Sequence, residues 1–551
     1  MVGPADAGLR RDQPAPGERH RRRVDHGAGH VNRAIARFGI ALLVLYTAVF
    51  AQLNNLQLFG AKRLNENPIN VREAAKDFER KRGSILTSDG VTVAETVETP
   101  DGATRRTRTY PDPIIYAHLT GYFSRDYGAS GIENEYNDEL AAKTDGQQFG
   151  NLSDIFSPKD RTGNVTLTID NDVQHAAATG LLLKKGSVVA IDPRDGSILA
   201  LYSFPTFDPN TLSTPDRTAA TAAKKQLDAD TSKPLLPRAY RENFFPGSTF
   251  KIVTAAAGLQ SGAVTPDLPE FPRSSGYAAP LTNVLLRNFG GATCGGTLFE
   301  ILRVSCNTAF AQMGAEYVGV EQMVTRALAF GFNDTPPIDL PNPARSTFPT
   351  DYGKKLQSLP SYFAQKNGEP PPTTTPGERS LLYVYEDQPK LAQVSIGQND
   401  VRATPLQMAM VAAAVANNGV IMKPHVMRDI RTRDGELISK YQPERWKTAV
   451  SPSVAATLRE AMIGVVGPGG TATRMAIEGF TVGGKTGTAE LGTTSPSSHA
   501  WVIGFAGPVG QAPTVAVAVL VEALPGADEQ TGGRVAAPIA QAVLEAALRA
   551  R

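Results

Sequence analysis

The sequence predicts an α/β (α+β) protein with one N-terminal transmembrane helix, a smaller N-terminal support domain, and a larger domain whose sheet is built from both of its ends. Three observations carry that prediction. A single apolar run follows an arginine-rich tail. Strand patterns open and close the larger domain, with helical stretches between them. The composition, 41% hydrophobic and 20% charged over 551 residues, is that of an ordinary globular chain, which excludes long-range disorder and multiple membrane spans.

The elements follow in order. Residues 1–37 hold eight Arg against four acids and are rich in Gly, Pro and Ala, a disordered basic tail. Residues 38–54 form the apolar run; extended back to Ala34, with Arg37 snorkelling, it is long enough to span a bilayer. A cleaved signal peptide is the competing reading, disfavoured by the length of the basic segment. The positive-inside rule leaves the tail in the cytoplasm and everything after the anchor outside. Residues 55–165 are charged and irregular, with strand-like Ser84–Leu86 and Val91–Ala94, a short helix over Glu133–Leu140 whose acids form a solvated face, and no catalytic cluster. They are expected to be the support domain. The larger domain, 166–551, begins with the strand pattern Val165–Ile169 and a helix over Asp172–Leu183. A hairpin follows, Ser187–Ile191 and Ser197–Leu201, around an Asp-Gly turn. Pro/Thr-rich loops are expected over 204–237 and 341–378, helices over Thr249–Leu259 and Leu406–Asn417, strands over 480–491, 499–507 and 514–522, and a last helix from Ala537 to Arg551.

Composition also limits the chemistry. The 56 Lys and Arg nearly cancel the 54 Asp and Glu, against a general nucleic-acid binder. Two cysteines and seven scattered histidines without an HExxH pattern exclude common zinc sites, so no metal and no cofactor are expected. Cys294 and Cys306, in an oxidising exterior with no other thiol, are candidates for a disulfide or for two buried free thiols.

Three short motifs each occur once: Ser248-Thr249-Phe250-Lys251, Ser305-Cys306-Asn307 and Lys485-Thr486-Gly487-Thr488. Singly, Ser248 reads as a helix cap, Asn307 as a turn residue and Gly487 as a strand bulge. Their order and context say otherwise. Phe245-Pro246-Gly247 announces a helix start that puts Ser248 and Lys251 on one face, and the Lys-Thr-Gly lies in an alternating strand followed by another. A serine hydroxyl needs an adjacent base. Lys251 supplies one if burial beside the cation Lys485 lowers its pKa, while Ser305 and Asn307 stand ready to relay a proton and hold substrate. SxxK, a Ser/Asn pair and KTG together are the signature of penicillin-binding proteins and class A β-lactamases.

On these motifs the sequence resembles the class B penicillin-binding proteins, in particular their actinobacterial members. Arg82-Gly83-Ser84-Ile85 and Gly131-Ile132-Glu133 are similar to motifs of the family's non-catalytic domain. Ser395-Ile396-Gly397-Gln398, Thr404 to Ala409, Gly470-Thr471-Ala472 and His499-Ala500-Trp501 are similar to the transpeptidase domain. The resemblance implies a penicillin-binding/β-lactamase-like domain, mainly an antiparallel sheet flanked by helices. It implies an anchored enzyme that cross-links peptidoglycan: Ser248 is acylated by a D-Ala-D-Ala stem peptide or a β-lactam, and a stem-peptide amine then attacks. It places the oxyanion hole at the backbone N–H groups of Ser248 and Thr488. Lys485, Thr486 and Thr488 would bind the terminal carboxylate, with Gly487 between them. By the same analogy, a SEDS-type glycan polymerase is the expected membrane partner. The family's Gly-Gln-Gly is here Gly397-Gln398-Asn399, which leaves that turn open. Against these stand a β-lactamase, which lacks its Glu-x-x-Leu-Asn stretch here, a D,D-carboxypeptidase, and a β-lactam sensor or non-catalytic scaffold.

Overall fold

The computed structural model describes residues 28–55, 78, 80–98, 106–144, 147, 161–367, 382–490, 498–523 and 530–550. Most of the basic tail and the proline run Pro370–Pro376 lie outside the described residues. Eleven strands form the two main sheets: β1 (Ile85–Leu86), β2 (Thr92–Glu98), β3 (Arg106–Thr109), β4 (Gly163–Leu167), β5 (Gly186–Ile191), β6 (Ile198–Phe204), β7 (Met427–Thr432), β8 (Leu437–Lys440), β9 (Phe480–Glu490), β10 (Ser498–Pro508) and β11 (Val515–Val521).

The central sheet runs β9-β10-β11-β5-β6, antiparallel throughout, so both ends of the larger domain do build one sheet. In β11 every residue of Val-Ala-Val-Ala-Val-Leu-Val is buried. Small and branched apolar side chains on both faces suit a strand covered on both sides by helices. One layer is formed by Asn171–Leu181 and Ala537–Arg549; Pro405–Ala416 packs on the sheet separately from them. All twelve residues of Pro405–Ala416 are buried, as an all-round apolar helix requires, and Thr404 caps it by accepting from the Gln407 N–H at 3.0 Å.

The second sheet runs β8-β7-β4-β1-β2-β3. In β4, Val165 and Leu167 point inward in strict alternation. This strand pairs parallel to β1 and antiparallel to β7, so residues from near positions 85, 165 and 430 share one sheet. Val71–Arg551 forms one compact unit.

Separately, Ala28–Asn55 is one helix. Its stretch Ile35–Asn54, 20 residues, is long and apolar enough to cross a membrane, with Leu43 and Phe50 exposed.

Two expectations are corrected. The helix predicted over Glu133–Leu140 is two short turns, Gly131–Glu135 and Asn137–Leu140, and its acids are not a uniformly solvated face. Glu133 is completely buried, with Arg82 on one carboxylate oxygen at 2.8 Å and Arg108 on the other. Burial alone would raise its pKa, but the Arg108 and Arg82 guanidiniums outweigh that and hold it below the usual carboxylate range. The second correction concerns the predicted loop over 204–237. It contains a 13-residue helix, Arg217–Ala229, whose N-cap Asp216 accepts from Thr218 and Ala219 N–H groups. The alanine-rich run following an aspartate carried that signal; neighbouring prolines obscured it. Likewise, 341–378 contains the strand Lys355–Ser358 and the helix Leu359–Asn367.

Candidate active site

Ser248 sits in a tight 3₁₀ turn, Gly247–Phe250, that runs directly into the helix Lys251–Ser261. In such a turn, residues three apart eclipse one another, which brings Ser248 and Lys251 to one side. The turn is held from behind by the Gly247 N–H donating to the Gly397 carbonyl at 3.0 Å. In front of it runs β9, the edge strand of the central sheet. A Cβ at Gly487 would lie 3.0 Å from the Pro246 carbonyl oxygen and from Thr249 Cγ2, so any larger residue would force the strand and the turn apart by a few tenths of an ångström. Asn399, where the family carries glycine, has φ +65°, a left-handed conformation that asparagine tolerates well.

The Ser305–Asn307 turn closes the third side. Ser305 adopts φ +60°, unusual for a residue with a Cβ and a mark of a constrained turn. Asn307 begins the next helix, and its Nδ2 donates to the Arg287 carbonyl at 3.1 Å. Cys306, between them, is bonded to Cys294, with Cα atoms 5.8 Å apart, which settles the two alternatives in favour of the disulfide. The bridge ties the turn to the short strand Cys294–Gly296 and through it to Phe271–Ser274.

Two lysines converge on Ser305. Lys251 Nζ donates to the Ser305 carbonyl at 2.7 Å, to Asn307 Oδ1 at 2.6 Å and to Ser305 Oγ at 3.2 Å. Lys485 Nζ donates to the same Oγ at 2.7 Å and to the Thr486 carbonyl at 2.8 Å. Both side chains are fully buried, and among the described residues no carboxylate pairs with either. Burial therefore drives both pKa values down, Lys251 well below the usual lysine value, with repulsion from Lys485 adding to it, and Lys485 to about 7. Thr486 is buried, and its Oγ1 lies 2.7 Å from Thr471 Oγ1; Thr488 is half-buried. Trp501 packs edge-on to Phe244 beneath the turn.

The structure thus brings Lys251, Ser305, Asn307 and Lys485 into one hydrogen-bonded cluster, with the Ser248 turn against the Lys-Thr-Gly strand. Two contributors were not assigned a part by the motifs: the Gly397 carbonyl and Thr471. The sequence held only a weak signal for them, the Ser-Ile-Gly-Gln and Gly-Thr-Ala matches, which carry no chemistry of their own.

A helix-covered antiparallel sheet with a Ser-x-x-Lys turn against its Lys-Thr-Gly edge defines the penicillin-binding class of active-serine proteins. Comparison with known proteins agrees. Residues 186–545 match the penicillin binding protein transpeptidase domain, and residues 82–165 match the penicillin binding protein A dimerisation domain. The chain is 39% identical to the peptidoglycan D,D-transpeptidase PbpA of Mycolicibacterium smegmatis and 36% identical to that of Mycobacterium tuberculosis, in each case over 94% of this chain and 99% of the relative. The crystal structure of M. tuberculosis PBPA superposes with a TM-score of 0.72 at 36% identity, covering 85% of this chain and 99% of that one. Its penicillin G acyl-enzyme complex gives 0.71 over the same shares of the two chains. The chain belongs to the penicillin-binding protein transpeptidase family.

Proposed function

We propose that this chain is a membrane-anchored serine D,D-transpeptidase that cross-links peptidoglycan stem peptides through an acyl-enzyme on Ser248, and that β-lactams acylate the same serine. The observation that carries this reading is the Ser305 hydroxyl held between two buried lysines without a carboxylate. A buried ammonium beside a second one loses its proton readily. A neutral Lys251 keeps two N–H groups for two pure acceptors, the Ser305 carbonyl and Asn307 Oδ1, and its lone pair is left for a hydroxyl. That is the arrangement a general base for Ser248 needs.

The steps follow from this. The D-Ala-D-Ala carboxylate docks against Lys485, Thr486 and Thr488, and its charge keeps Lys485 protonated, which further favours the neutral form of Lys251. Ser248 Oγ attacks the penultimate carbonyl carbon as its proton passes to Lys251 Nζ. The backbone N–H groups of Ser248 and Thr488 hold the oxyanion, and one such donor is worth about 3–4 kcal/mol. As the C–N bond breaks, the proton returns through Ser305 Oγ to the leaving D-Ala nitrogen. A stem-peptide amine then attacks the ester carbonyl, its proton passing to Lys251 Nζ and from there to the leaving Ser248 Oγ, which frees the serine. The support domain, 55–165, holds the catalytic domain, 166–551, outside the membrane, with residues 1–37 on the cytoplasmic side, and a SEDS-type glycan polymerase supplies the glycan strand.

Intact-mass spectrometry of the chain with a penicillin, beside Ser248→Ala, tests the proposal. A long-lived adduct on the wild type alone supports it. An adduct that vanishes while drug is consumed indicates a hydrolase, and none on folded protein overturns the enzyme reading. Release of D-Ala with an amine acceptor, without a cross-linked product, would point to a D,D-carboxypeptidase.

A further inference from the structure

We propose that Thr471 is a positioning residue for carboxylate recognition: its hydroxyl aims the Thr486 hydroxyl at the terminal carboxylate of the substrate. The inference rests on the reading of Thr486 as a carboxylate contact given above.

The two hydroxyl oxygens lie 2.7 Å apart, and Thr486 is 7% exposed. Each threonine hydroxyl brings one hydrogen and two lone pairs. One hydrogen is spent between them and one remains. Without substrate the Thr486 O–H donates to Thr471 Oγ1, and each hydroxyl is free to turn about its C–O bond. A carboxylate only accepts, so when it is bound the single arrangement that serves it runs from the Thr471 O–H to Thr486 Oγ1, and from the Thr486 O–H to the carboxylate. Hydrogen bonds in line reinforce one another, so the second is stronger for the first. Without the Thr471 hydroxyl, Thr486 keeps its hydrogen but loses what orients it.

The pair is fixed from three elements. Thr486 belongs to β9. The neighbour of Thr471, Ala472, donates its N–H to the Val465 carbonyl at 3.0 Å, which pins the turn to the end of the helix Pro452–Val466. Gly533 closes the back: a Cβ there would lie 2.3 Å from the Thr471 carbonyl oxygen and 3.7 Å from Thr486 Cγ2. Lys485 supplies the charge that attracts a carboxylate; the threonine pair supplies the direction.

The test compares acylation of the full chain by benzylpenicillin and by its methyl ester, which removes the carboxylate charge and keeps the reacting lactam. The readout is the acid-to-ester ratio of acylation efficiency, separated into apparent affinity and limiting rate. We expect Thr471→Val to lower that ratio about tenfold, the worth of about one neutral hydrogen bond, through affinity, with the ester little changed. Thr471→Ser should restore it. Should Thr471→Val fail to fold, Thr471→Ala against Thr471→Ser carries the same comparison. Equal slowing of acid and ester by loss of the hydroxyl would make Thr471 a structural residue and overturn the inference, as would no change at all. Thr486→Val separates the two layers: if it leaves the ratio intact, the carboxylate reading of Thr486 fails. If it lowers the ratio while Thr471→Val does not, only the inference fails.

Discussion

Replacing Lys485 with methionine should sharply slow acylation and, near neutral pH, relieve the folded chain of a strain that the wild type carries. The ammonium is fully buried, and its pKa falls from the usual 10.5 to about 7 because burial penalises the charged form. Between these two values the unfolded chain binds a proton that the folded chain does not. Wild-type stability therefore rises with pH through that window and is flat below about 7. Each pH unit is worth about 1.4 kcal/mol, so the whole window holds roughly 5 kcal/mol. Methionine matches the length of the side chain and does not titrate. It also gives up the contacts to Ser305 Oγ and the Thr486 carbonyl, together about 3–6 kcal/mol. The pH-independent part therefore roughly cancels, and the pH-dependent part is left to be read. Burial, the larger cause, still depresses Lys251 in the variant, so most of its contribution drops out of the difference, and the lost Lys485 repulsion leaves only a smaller remainder. Urea unfolding of wild type and Lys485→Met should show near-equal stability at about pH 7. By about pH 9 the wild type should lead by about 2–3 kcal/mol. Parallel curves over that range, or a lead that shrinks with pH, would refute the account of Lys485 as a buried cation without a counter-charge.

Other consequences follow from the same geometry. Lys485→Ala removes the repulsion that adds to the burial of Lys251, so the acidic limb of whatever acylation remains should move to higher pH in stopped-flow labelling. Glu133→Gln leaves Arg82 and Arg108 buried without their counter-charge and should cost about 3–5 kcal/mol in denaturant unfolding, with the acylation rate of the folded fraction unchanged. The wild-type contribution of Glu133 is present above the ordinary carboxylate pKa and lost as pH falls through its depressed one, so the gap between the two proteins should narrow in acid. Replacing both Cys294 and Cys306 by serine opens a loop of 12-residue separation and should cost about 3 kcal/mol, seen as faster proteolysis of the segment around Phe271–Gly296. Gly487→Ala must push β9 off the Pro246 carbonyl and Thr249, and acylation should fall at least tenfold with a smaller change in stability, measured by labelling and unfolding side by side.

Much of the central sheet was legible because its strands carry local signals. Val-Ala-Val-Ala-Val-Leu-Val and the Asp-Gly hairpin around Asp195 and Gly196 dictate β-structure whatever surrounds them, and the turn residues fix their lengths. The apolar helix before Asn55 was legible for the same reason, since length and hydropathy are properties of a contiguous segment. Glu133 was misjudged because nothing within ten residues of it shows that Arg82 and Arg108 will close over it; an acid among acids reads as solvated. The helix at Arg217–Ala229 was missed for the opposite reason: its own signal was present but lay between prolines.

The sequence alone determined which chemical groups are available and in which local geometry. Ser248 and Lys251 lie three apart in a segment that begins with Pro-Gly, so a tight helical turn presents them together, and the only Lys-Thr-Gly falls in a strand. Tertiary structure decided everything that depends on distance across the chain. It set Lys251 and Lys485, 234 positions apart, on one hydroxyl, bonded Cys294 to Cys306, and hid both ammoniums from water. The physical reason is that a pKa or a hydrogen bond is set by the atoms within a few ångströms, and in this fold those atoms come from segments far apart in the chain. Composition can name a lysine; only burial beside another lysine lowers its pKa this far.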